Sequence, residues 1–81
     1  MTNWTLYILR CKDGSLYTGI TTDIDKRLKR HNEGRASKYT RAKKPVKLVY
    51  AEIFDNESSA RKREAEIKKL SHENKLKLIR K

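Results

Sequence analysis

Apolar positions along the chain fall into three short runs and three spaced stripes. Residues 4–10, Trp-Thr-Leu-Tyr-Ile-Leu-Arg, are mostly aromatic and aliphatic and predict a strand. Lys12-Asp13-Gly14 reads as a turn, and Ser15-Leu16-Tyr17-Thr18-Gly19-Ile20 returns as a second strand. Asp23 can cap a helix running to about Asn32, with Ile24 and Leu28 one turn apart on its apolar stripe and Gly34 just beyond as a stop. Residues 33–44 are polar and basic, a loop of little intrinsic order that Pro45 closes; 46–54 is then the third strand. Asp55 or Asn56 caps a second helix over about 57–70, and Ser71 starts a short last helix marked by Leu76 and Ile79. The order β-β-α-β-α-α describes one α+β domain over residues 1–81.

Hairpin geometry decides where two tyrosines point. A two-residue Asp-Gly turn pairs Lys12 with Ser15 and sends Tyr7 and Tyr17 to opposite sheet faces. A three-residue loop pairs Cys11 with Ser15 instead and needs a left-handed residue where Gly14 stands, which favours this form. Tyr7 then faces Gly19, both tyrosines share a face as diagonal neighbours, and the missing side chain at Gly19 leaves room for a ligand.

Charge changes the picture. With 81 residues, 21 Lys+Arg and 10 Asp+Glu, the chain carries +11. A chain this short buries only about 60% of its unfolded surface, so the core must be thin. The one cysteine, Cys11, rules out an internal disulfide, and Cys11, His31 and His72 show no zinc-site spacing. No apolar run suits a membrane span, and Met1-Thr2-Asn3-Trp4 begins no signal peptide, so the expectation is a cytoplasmic protein, monomeric by default. The cationic excess favours a polyanion partner, DNA or RNA before a lipid surface.

Several residues could carry chemistry. Arg27 and His31 are four apart and stand beside the Ile24/Leu28 stripe, with Lys26, Lys29 and Arg30 further round toward solvent. Arg27 could grip a phosphate or simply pair with Asp23. Glu64 follows Ala60 and precedes Ile67 and Ser71 along an inward stripe, where a carboxylate is costly unless paired or metal-bound. It suits Mg²⁺, which takes one or two protein carboxylates and fills the rest with water and phosphate oxygens; it could equally pair with Lys68 or Arg61. Lys38, Arg41, Lys43, Lys44, Arg63 and Lys68 fit a backbone-tracking patch, with Gly19 beside it. Trp4, Tyr39, Tyr50 and Phe54 read as packing, and Cys11 and His72 carry no functional expectation.

In order, Thr5-Leu6-Tyr7, Tyr17-Thr18-Gly19, Arg27-Leu28, His31-Asn32, Lys38-Tyr39-Thr40-Arg41 and Arg63-Glu64-Ala65-Glu66-Ile67-Lys68 resemble the signatures of the GIY-YIG nuclease superfamily, and in particular its small stand-alone bacterial members. The resemblance implies a three-stranded antiparallel sheet flanked by helices and hydrolysis of a nucleic-acid phosphodiester with Mg²⁺ or Mn²⁺. Tyr7 and Tyr17 match the signature tyrosines, Arg27 the catalytic arginine, Glu64 the metal-binding glutamate, and His31 a position often histidine. Thr5 and Thr18 depart from the name-giving residues, Ile20 stands where repair relatives often carry lysine, and Asn74 is the nearest counterpart of a later asparagine.

The expected reaction is in-line attack by water, with a tyrosine accepting its proton, Tyr17 slightly ahead of Tyr7. Arg27 stabilises charge on the phosphoryl oxygens, and His31 orients a tyrosine or relays the proton. Structure-directed or weakly selective cutting, of DNA before RNA, is the expected specificity. The competing class is a non-catalytic nucleic-acid-binding module on the same fold. A third is an adaptor docking on an acidic protein.

Overall fold

A computed structural model describes residues 3–80; Met1 and Thr2, and with them the leader-free reading of the N-terminus, lie outside the described residues, as does Lys81. The first strand, β1 (Trp4–Arg10), lies between β2 (Leu16–Thr21) and β3 (Lys47–Phe54), and both pairings are antiparallel. Four consecutive residues, Leu6-Tyr7-Ile8-Leu9, are fully buried. That is what an unbroken apolar run predicts for a central strand covered on both faces.

The three-residue hairpin loop forms. Cys11 N–H donates to Ser15 O at 2.8 Å, Gly14 N–H donates to Cys11 O at 2.9 Å, and Gly14 takes a left-handed φ of +86°. Tyr7 accordingly faces Gly19 and Leu9 faces Tyr17.

One face of the sheet packs Tyr7, Leu9 and Cys11 with Val46, Tyr17 and the Ile24/Leu28 stripe of α1 (Ile24–Asn32). The other packs Leu6 and Ile8 against Ile67 of α3 (Glu57–Lys68) and against Leu78 and Ile79 of α4 (His72–Ile79). The caps follow the sequence: Asp23, Asn56 and Ser71 each accept an N–H from the first turn of α1, α3 and α4. At the far end of α1, Gly34 N–H donates to His31 O and Arg35 N–H to Arg30 O, with Gly34 at φ +76°. This is the double hydrogen bond that ends a helix on a left-handed glycine.

Two expectations change. The polar segment 33–44 is no featureless loop: Ser37 caps a short helix, α2 (Lys38–Arg41), and Thr40 is fully buried. Hydrogen bonding rather than apolar burial orders it, so the hydropathy pattern is silent there. Ser71 is exposed as the cap of α4 instead of continuing the inward stripe of α3.

Candidate active site

Tyr7 anchors the site. Its side chain is fully buried, and its hydroxyl lies 3.1 Å from His31 Nε2. His31 Nδ1 in turn lies 2.8 Å from Thr40 Oγ1, which donates to Ser37 O at 3.4 Å. With the threonine proton directed to Ser37, Nδ1–H is the donor to Thr40, which assigns the tautomer and leaves the Nε2 lone pair to accept from the Tyr7 hydroxyl. Tyr7, His31 and Thr40 thus form one buried chain reaching from β1 through α1 to α2.

Gly19 has a sharper role than leaving space. A β-carbon built there would sit 2.6 Å from the Tyr7 hydroxyl oxygen and 2.8 Å from Cζ. The space opposite Tyr7 is therefore filled by its own ring, which corrects the expectation of room for a ligand.

Tyr17 is partly exposed, its ring centroid 6.4 Å from Tyr7 and 5.0 Å from His31 in an edge-on arrangement. Tyr39, placed among packing residues by the sequence, is 42% exposed and extends the row, 5.9 Å from Tyr17 and with Lys43 Nζ 4.0 Å over its ring.

Arg27 reaches this cluster from α1. Burial pushes the Tyr7 phenol up to about 12, reinforced by Tyr17 and, more weakly, by Glu64, while the charge of Arg27 opposes the rise. Burial, then Arg27, holds His31 below the usual imidazole value, so its neutral form is favoured. The alternative pairing of Arg27 with Asp23 is not adopted: that carboxylate accepts from Lys26 N–H at 3.1 Å.

Glu64 lies on α3 with 19% of its side chain exposed, paired to Lys68 at 3.2 Å. Among the described residues no group of three or more His, Cys, Asp or Glu gathers as a metal cage. A single, mostly buried carboxylate fits a hard cation that keeps most of its waters and takes phosphate oxygens, as Mg²⁺ or Mn²⁺ does.

The basic candidates divide. Arg63 donates to Glu52 on β3 at 3.1 Å and to Glu66, Lys43 pairs with Asp13 at 3.3 Å, and Lys68 with Glu64. Arg41 donates to Gly34 O at 3.2 Å, whereas Lys38 and Lys44 are exposed. Asn74 is exposed on α4.

Two residues escaped the sequence reading of the site: Thr40, at the end of the buried chain, and Asn32. The Asn32 side chain accepts from Val46 N–H at 2.7 Å and donates to Val46 O, tying α1 to the segment entering β3. Their signal lay only in the short motifs His31-Asn32 and Lys38-Tyr39-Thr40-Arg41.

Known proteins place the arrangement. Residues 3–77 match the family model described as the GIY-YIG catalytic domain. The chain is 58% identical over 74 residues to a UPF0213 protein of Staphylococcus saprophyticus, covering 91% of this chain and 90% of that one. To a UPF0213 protein of Clostridium perfringens it is 57% identical over 74 residues, covering 91% and 80%. The solution structure of a UPF0213 protein from Bacillus halodurans superposes with a TM-score of 0.62 at 47% identity, over 95% of this chain and 82% of that one. A protein of E. faecalis gives 0.67 at 40% identity, over 99% and 85%. The paired phenols, the buried histidine and the arginine thus stand on the scaffold these relatives share, and the chain belongs to the GIY-YIG catalytic-domain family.

Proposed function

We propose that this protein is a metal-dependent endonuclease that hydrolyses nucleic-acid phosphodiesters, DNA before RNA, with structure-directed or weak selectivity. The observation that carries the proposal is the hydrogen bond from the Tyr7 hydroxyl to a buried, neutral His31 beside Arg27.

A phenol held near 12 supplies almost no phenolate at neutral pH, so a free tyrosinate is a poor base here. The contact with His31 removes that difficulty. As the attacking water gives its proton to the Tyr7 oxygen, the phenolic proton moves to Nε2 of the imidazole, and no buried phenolate accumulates. On this reading the base is Tyr7, where the sequence alone slightly favours Tyr17.

Arg27, whose charge acts on the Tyr7 phenol, donates to the non-bridging oxygens where charge develops. Tyr17, partly exposed beside both, orients the incoming water. Glu64 is the residue that would hold Mg²⁺ or Mn²⁺, which when bound supplies Lewis-acid stabilisation to the leaving oxygen. Lys68 neutralises that carboxylate in the free protein.

One observation favours a second reading. Because Lys68 compensates Glu64, the carboxylate is also compatible with a non-catalytic nucleic-acid-binding module.

A cleavage assay on single-stranded, duplex and branched DNA, with and without Mg²⁺, tests the proposal. Glu64→Ala and Arg27→Ala prepared in parallel exclude contaminating nucleases. Wild-type cutting that both substitutions abolish is the expected result; cutting at the wild-type rate by both variants overturns it. Under the binding-module reading nothing is cut, and Glu64→Ala tightens nucleic-acid binding.

A further inference from the structure

Most cations singled out by the sequence on α3 and around the hairpin are matched by acids, but those on one face of α1 are not. Lys26, Arg27 and Arg30 line a cleft of about 320 Å³ with Thr21, Thr22 and Asp23. Among the described residues, none of the three cations forms an ion pair. The one carboxylate in the cleft, Asp23, accepts from the Lys26 backbone N–H and forms no ion pair with these side chains. Lys26 and Arg30 are exposed, four residues apart on one helix face, with β-carbons roughly 5–6 Å apart. Arg27 belongs both to this cleft and to the Tyr7 cluster. The larger hollow on the outer face of α3, about 550 Å³, differs: it contains the Arg61–Glu57 pair and does not include Arg27.

We infer that this cleft is a phosphate subsite, in which Lys26 and Arg30 hold a backbone phosphate flanking the one presented to Arg27. The inference rests on the nuclease reading and adds a direction to it: the strand leaves the phenols over the exposed face of α1 that carries Lys26 and Arg30. The donors are the two side chains, since Asp23 already occupies the Lys26 backbone N–H. Cations without an acid partner have only water and mobile counterions to exchange for a phosphate, which makes their contacts the ones that register as counterion release. Arg30 presents a planar fork suited to two phosphate oxygens, and Lys26 a compact charge that follows whichever oxygen is nearer.

Lys29 provides the control, because it carries the same charge on the same helix, is exposed, and does not line the cleft. Binding of a short fluorescent DNA duplex is measured without divalent metal over a range of salt, for wild type, Lys26→Ala, Arg30→Ala and Lys29→Ala. Lys26→Ala and Arg30→Ala each weaken binding several-fold and flatten the log–log salt slope by about 1, while Lys29→Ala leaves the slope unchanged. Equal effects of all three, or none, overturn the subsite and leave only diffuse attraction. This arm decides without any cleavage, so failure of the nuclease reading stays distinguishable. Where cleavage is measurable, a methylphosphonate is placed at each position flanking the scissile phosphate in turn. One such position slows the wild type and adds nothing to the loss in Arg30→Ala; insensitivity at every position overturns the assignment.

Discussion

At Gly19 a single hydrogen atom in place of a methyl group decides whether the Tyr7–His31 bond can exist. An alanine β-carbon 2.6 Å from the phenol oxygen lies closer than β-carbons pack, and the ring, locked in the core, must tilt away from Nε2. Gly19→Ala therefore lowers the cleavage rate at least tenfold, approaching Tyr7→Phe, and leaves the circular dichroism spectrum intact. His31 gives a second prediction at this scale. A histidine in the unfolded chain titrates near about 6.5, and the folded value is lower because burial and Arg27 disfavour the charged ring. The unfolded chain thus binds more protons in that window. The stability His31 contributes is present above about 6.5 and lost as pH falls through the folded value. Thermal melts should show a fall in Tm on acidification that is steeper in the wild type than in His31→Gln. The acid limb of kcat/KM should lie below about 6.5, because a protonated ring cannot take the Tyr7 proton. Of these residues the sequence exposed most: strand alternation and Gly14 suffice to put Tyr7 and Tyr17 on one face. Thr40 and Asn32 were not legible, because polar side chains in a basic segment reveal their partners only once the chain has folded back to bring α2 and Val46 against α1.

At the scale of elements the punctuation in the sequence is obeyed. Asp23, Asn56, Ser71 and Gly34 stand where helix ends demand a side-chain acceptor or a left-handed residue. Asp23→Ala removes the acceptor for Lys26 N–H and should cost about 1 kcal/mol, read as a Tm lowered by roughly 4–8 °C. Asp23→Asn preserves the cap and should melt within a degree or two of the wild type, about the scatter of a neutral surface change. The four-residue α2 had no such legibility, since one turn carries no apolar period and its order comes from Ser37 and the bond between Thr40 and His31. The buried stripe of α3 runs through Ala60 and Ile67 and ends one turn before Ser71, where the helix has already given way to the next cap.

For the whole molecule the governing quantity is the net charge of +11. Self-repulsion of this size opposes compaction, and added salt screens it. The same salt competes with a polyanion for the protein. Raising ionic strength should therefore lift the Tm of the free protein while lowering its affinity for duplex DNA, the latter with a slope of about −0.9 per phosphate neutralised. Melts and binding titrations over one salt series check both trends, and parallel movement of the two would contradict this account. Total charge is plain in the composition, but its distribution is not. The Arg63–Glu52 pair joins α3 to β3, and Lys43, between α2 and β3, meets Asp13 in the hairpin loop, so which cations stay free emerges only from the tertiary arrangement.

The loop at Lys12-Asp13-Gly14 behaves like a reading frame for the second strand. Removing or adding one residue there would leave the strands able to pair, yet turn every side chain of β2 over. Leu16 would then face α1, and Tyr17 would be carried to the opposite surface, away from His31. Substitutions in this loop that keep its length and the backbone form of Gly14 thus leave the register of β2 unchanged, whereas a one-residue change in its length would yield a protein that still folds as a sheet and has lost a phenol from its site.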